Sequence, residues 1–205
     1  MVGVVYMTQV LHLVLSQIKN VSSYIPKGCL WATGIVAFLF VSVVIVIRVK
    51  KISYKRVPWW KFGILFLFVT YFYCMLQITL LSRYVSDMFG NADLSILVKW
   101  QMNDMEKAYF LSNIIMFVPM GVLLPMLFRW TKYLLTSLPV ATALSVMIEL
   151  IQLKKKIGYC QLDDVVANII GFLIGYLGFV AIYEFVCGIK SICKIIMYKT
   201  LKNDV

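Results

Sequence analysis

The chain has 205 residues, 62% of them hydrophobic and 14% charged, with a net charge of +11 and a mean hydropathy of +0.89. Soluble domains run at about 45–50% apolar, so a soluble globular domain is excluded and the length suits one integral membrane domain. Lys and Arg lie between apolar blocks, as membrane anchors do, so the basic charge does not imply a nucleic-acid partner; the lipid bilayer is the expected one.

Residues 3–18 are apolar, but Gln9, His12 and Ser16 recur at helical spacing and make a polar stripe. Residues 1–28 are therefore expected to form an interfacial helix or a short sixth span. They lack the basic start of a signal peptide. His12 is the single histidine, read as incidental rather than catalytic. Asn20, Val21 and Ser22 match a glycosylation acceptor, a short and weakly specific pattern.

A span needs about 20 mostly apolar residues. Segments 30–47, 60–81, 109–128, 133–153 and 165–186 qualify. The expected fold is an all-α integral membrane protein, a bundle of five transmembrane helices, or six if 3–18 also spans. Trp59, Trp60 and Trp130 flank spans, where interfacial tryptophans belong. The connection 82–108 is long, which suggests a functional or re-entrant element; its apolar run 94–98 could dip into the interface. Pro119 should kink the third span. That span and the fourth are joined only by 129–132, which predicts an antiparallel hairpin. Residues 187–205 carry Lys190, Lys194, Lys199 and Lys202 among isoleucines and read as a basic amphipathic tail on an anionic surface.

Orientation follows from the connections. Twelve basic residues lie on the side of 48–61, 129–132 and the tail, against eight on the other side. The first side, with the C-terminus, is expected to be cytoplasmic. The five cysteines include no C-x-x-C pair, so zinc and thiol-redox motifs are absent.

Polar residues inside the spans carry the functional signal. Ser145, Glu149 and Gln152 share one face of the fourth span, extended by the small Ala141. Asp164, Asn168, Gly171 and Gly175 share a face of the fifth, and Gly171 with Gly175 form the G-x-x-x-G pattern of close helix approach. Asn113 opens the third span. All three helices should bring these groups to the same end, the outer one by the charge bias, with Glu149 roughly 8 Å inside Lys154. Asn113, Glu149, Gln152, Asp164 and Asn168 thus form a candidate polar pocket. An ionisable group within a span is costly, so Glu149 is a functional candidate by default. The simpler readings are helix-to-helix hydrogen bonds for the carboxamides and an N-cap for Asp164, with Asp163 outward in water. Met120 and the aromatic residues of the second span read as packing.

Three blocks, "NIIMFVPMGVLLP" (113–125), "IELIQL" (148–153) and "DDVVANIIGFLIGY" (163–176), resemble the VanZ-like family of membrane proteins in order and spacing. They cover roughly the C-terminal half, and the matching positions are Asn113, Pro119, Gly121, Glu149, Gln152, Asp164, Asn168 and Gly171. Gln161 stands where many members carry another acid, and the N-L-x-P-F-like stretch often seen before the first block is missing. The resemblance implies one transmembrane domain over 1–205 in a bacterial cell membrane, associated with low-level resistance to the lipoglycopeptide teicoplanin. The ligand would be the drug, an envelope lipid or a lipid-linked precursor. Two other functions fit the residues. One is an intramembrane enzyme with Glu149 as general acid/base. No Ser-His-Asp set, metal-binding cluster or Gly-rich phosphate loop supports it. The other is a small lipid transporter, which a chain this short would form as an oligomer. The two carboxylates with the Gln152 and Asn168 oxygens are of the donor types that hold divalent cations. No spacing motif marks such a site, and neither metal nor cofactor is expected.

Overall fold

The computed structural model describes residues 2–51, 53–83, 85–86, 92–93, 104–158 and 160–203, without the side chains of 2–9, 17, 18, 56, 92, 93, 104, 190 and 192–203. The helices are α1 (Val2–Ser22), α2 (Ile25–Lys50), α3 (Trp60–Leu76), α4 (Asp104–Leu127), α5 (Leu134–Lys155) and α6 (Leu162–Asn203). Five stretches among the described residues are long and apolar enough to cross a membrane: Ile25–Lys50, Trp60–Leu81, Met105–Leu127, Leu134–Lys155 and Leu162–Ile189. The expected five-span helical membrane fold is what the chain adopts. The predicted dip at 94–98 lies outside the described residues, as do the side chains of Gln9 and of the tail lysines. The tail backbone continues α6 as one helix to Asn203.

Local chemistry sets the helix ends. Pro26 sits in the first turn of α2, where its missing N–H costs nothing. Lys51 and Lys156 close α2 and α5 in the left-handed conformation, and each returns its N–H to carbonyls of the last turn. Lys154 and Lys155 lie at the negative end of the α5 dipole, and Asp163 and Asp164 at the positive end of α6. α4 runs as continuous helix through Pro119 and Pro125, each of which removes one intrahelical hydrogen bond.

Packing departs from the simple hairpin. α4 and α5 are consecutive and joined by a short turn, yet α4 packs chiefly along α6 and barely touches α5. Glycines decide this. A Cβ on Gly171 would overlap the Ile114 carbonyl oxygen, and one on Gly175 the Val118 carbonyl oxygen. One on Gly121 would lie 2.6 Å from the Tyr176 nitrogen. Backbone therefore meets backbone at these three glycines, and the rising register on both helices makes α4 and α6 parallel. The core is Met75, Phe117, Met120, Leu124, Ala141, Ile148 and Phe172, with Met120 packed as expected. Outward residues such as Leu30, Phe38 and Leu135 are exposed on the apolar belt.

The end of the bundle opposite the candidate pocket is pinned by polar contacts. Lys61 donates from Nζ to the Leu127 carbonyl at 2.7 Å. The Thr131 hydroxyl donates to the Leu124 carbonyl at 2.9 Å, and the Tyr176 hydroxyl to the Lys132 carbonyl at 2.7 Å. The Leu127 carbonyl is one that a helix end leaves open, while the Leu124 carbonyl also accepts the Phe128 N–H at 3.0 Å.

Candidate functional site

α5 and α6 run antiparallel and meet in polar rungs. The Asn168 amide donates from Nδ2 to the Ser145 hydroxyl at 2.9 Å. One turn nearer the loop on both helices stand Glu149 and Asp164, and the Asp164 charge reaches the Glu149 carboxylate. The Gln161 backbone N–H closes the ladder by donating to Glu149 Oε2 at 3.1 Å. Ser145, Glu149, Gln152 and Asn168 are all buried, at 0–3% exposure. Asp164 and Arg83 are the charged groups whose fields reach the Glu149 carboxylate most directly.

A second seam joins this ladder to α3. Beyond Leu76 the helix widens into a π-turn over Gln77–Leu81, a form that recurs at functional sites. The Gln152 side chain donates from Nε2 to the Thr79 carbonyl in this turn at 3.1 Å. Arg83 then folds back over it, its Nε 3.4 Å from the Ile78 carbonyl. Gly158 lets these groups pack closely: a Cβ there would lie 2.9 Å from Arg83 Nη1 and 3.1 Å from Gln152 Oε1. The following chain stays at the same end. The Ser86 N–H donates to the Lys156 carbonyl at 3.0 Å, and Ala92–Asp93 (β1) pairs in parallel with Cys160–Gln161 (β2). Burial, then the Glu149 and Asp164 charges, push the Cys160 thiol above its ordinary range.

Beside the ladder lies a cavity of about 950 Å³. Val14, Met75, Ile78 and Met116 supply apolar wall; Asn20, Tyr24, Arg83, Asn113 and Asp164 supply polar wall. The candidate residues thus divide. Asn113 and Asp164 line the cavity with Pro119, whereas Glu149, Gln152 and Asn168 are buried beside it in the helix seams. Gly121, Gly171 and Gly175 lie at the α4–α6 contact. Two expectations are corrected. Asp164 is not an N-cap, because α6 already begins at Leu162 and takes Asp164 into its first turn. Asp163 does not stand in water but is 8% exposed, since the early helix start rotates it inward. Three features escaped the sequence reading: Arg83, the wall contributed by α1, and the Thr79 carbonyl. Arg83 is one of the eight basic residues on the side expected to be outer, and its place directly after an apolar span is a usable signal. The isolated Gly158 is another.

Together these features define a small multi-pass helical membrane protein with a buried polar ladder and a cavity at one end. The VanZ/LLP1 family model matches residues 5–183, and the chain belongs to that family. Neither a curated protein nor a solved structure matches it.

Proposed function

We propose that this protein supports low-level teicoplanin resistance by binding an amphiphile in the cavity beside the α5–α6 loop. The ligand class is the lipoglycopeptide itself, an envelope lipid or a lipid-linked precursor. The observation that carries this reading is the cavity's volume, about 950 Å³, joined to its split lining. That volume is at the upper end for ligand pockets, and apolar wall beside Arg83, Asn113 and Asp164 suits a molecule with an acyl part and a polar part. The excess of basic residues on the opposite side supports an outer-face position, where such a drug partitions. Binding is favoured over catalysis because Glu149, the expected acid/base, is held by the Gln161 N–H and buried in the α5–α6 seam.

The test is expression in a susceptible Gram-positive host. Resistance to teicoplanin should rise more than resistance to vancomycin, which lacks the acyl tail. Asn113→Ala, which alters the cavity wall, should abolish the effect at matched membrane levels. Equal shifts for both drugs would point to an altered shared target, and no shift with confirmed expression refutes the resistance reading.

A further inference from the structure

We propose that the cavity takes one anionic glycerophospholipid from the bilayer, its phosphate paired with Arg83 and its acyl chains leaving between α1 and α3. The proposal rests on the reading of the cavity as an amphiphile site and names the amphiphile. Three helices grade the cavity in the same sense. At the level of the α5–α6 loop, α3 leads into Arg83, α4 contributes Asn113 and α1 contributes Asn20; deeper, the same helices contribute Met75, Pro119 and Val14. These pairs are six to eight residues apart in the chain, which sets the apolar level about 9–12 Å below the polar one. That depth is less than the roughly 15 Å of hydrocarbon in one leaflet, so the cavity holds a head group and the upper part of its chains.

The chains have a way out. α1 and α3 each pack along α4, and α2 packs along α3. No comparable contact joins α1 to α3, although Val14 and Val21 of α1 and Tyr71 and Met75 of α3 all line the cavity. Leu11 and Leu15, beside Val14 on α1, are exposed apolar residues, so this unsealed side suits lipid rather than water. Arg83 sets the head group. It is the one Lys or Arg among the described lining residues, and its side chain is exposed. A guanidinium carries five N–H donors in a fork that matches phosphate oxygens. Among the described residues only Nε is committed to a hydrogen bond, at 3.4 Å to the Ile78 carbonyl, and the terminal nitrogens are left for the fork. Asp164 on the same wall has an interaction of its own and is not counted as a ligand group. One guanidinium matches the single charge of a phosphodiester; a diphosphate-linked precursor brings more charge than this wall answers. A zwitterionic head group carries its own cation, which competes with Arg83, whereas the Ser23 and Tyr24 hydroxyls on the wall suit a hydroxylated anionic one.

The test uses full-length protein in nanodiscs of phosphatidylcholine and phosphatidylglycerol in equal amounts, released for native mass spectrometry. The expected result is one phosphatidylglycerol retained per chain in preference to phosphatidylcholine. Arg83→Gln should lower that preference about tenfold, the effect of losing hydrogen bonds to a charged group. Ser82 is an exposed position on the same wall. Ser82→Asp should lower the preference too, by setting a carboxylate beside the phosphate, and it carries the test should Arg83→Gln not accumulate. Arg129→Gln, at the opposite end of the bundle, should leave retention unchanged. Equal retention of the two lipids, a preference unchanged in Arg83→Gln or Ser82→Asp, or an equal fall in Arg129→Gln overturns the site. Displacement by inorganic phosphate would make it a site for free anions, and displacement by a polyprenyl phosphate at lower mole fraction would make a lipid carrier the occupant; either overturns the proposal. No drug is present, so loss of the resistance reading leaves this result intact, and failure here leaves the lipoglycopeptide and the lipid-linked precursor as ligands of the cavity.

Discussion

Replacing Gly175 with alanine tests the packing that holds the site together. The added Cβ falls on the Val118 carbonyl oxygen, with the Val118 carbonyl carbon at 3.0 Å and Gly121 Cα at 3.1 Å. These are backbone atoms and cannot rotate away, so α4 and α6 must separate. Overpacking of this kind costs about 1–3 kcal/mol. Alanine also favours helix over glycine by about 0.8–1 kcal/mol, which partly masks the cost. Gly178 supplies the control. It lies on the same helix, and nothing stands within 4 Å of its would-be Cβ. The propensity gain is common to both substitutions and cancels in their difference. Gly175→Ala should therefore be less stable than Gly178→Ala by about 1–3 kcal/mol, roughly 5- to 150-fold in the unfolding equilibrium. Reversible unfolding in mixed micelles, followed by tryptophan fluorescence, measures it. Because α6 carries Asp164, which lines the cavity, the same substitution should weaken any ligand bound there. Equal stability of the two variants would refute the close backbone contact.

Two further outcomes are expected. In a Cys160→Ser background, a cysteine at Lys155 should label with an impermeant maleimide on intact cells and one at Lys51 should not; the reverse pattern would turn the protein over and move the cavity to the cytoplasmic face. The Cys160 thiol is pushed above its ordinary range first by burial and then by Glu149 and Asp164, so its thiolate is scarce at neutral pH. Maleimide labelling of native Cys160 should therefore be slow at neutral pH and rise with pH beyond the range of a free thiol, and Asp164→Asn should speed it at fixed pH. A rate that follows an ordinary thiol, or ignores Asp164→Asn, contradicts the arrangement.

By itself the sequence determined five apolar spans and the polar faces of the fourth and fifth, and left residues 3–18 open between an interfacial helix and a sixth span. Each span is a run of apolar residues long enough to cross a bilayer, and hydrophobic length is a local property. The spacing of Ser145, Glu149 and Gln152, and of Asp164 and Asn168, is likewise local. Helical periodicity therefore placed each set on one face, and chain direction placed both at one end. Tertiary structure decided the rest, because contacts between segments depend on which backbones can approach. Gly121, Gly171 and Gly175 drew α4 onto α6 rather than onto its sequence neighbour α5. That contact left Asn113 and Asp164 on a cavity wall while Glu149, Gln152 and Asn168 were buried in the seams. Main-chain groups completed the arrangement. The Gln161 N–H on Glu149 and the Thr79 carbonyl under Gln152 are backbone atoms common to every residue type, so no side-chain pattern could announce them.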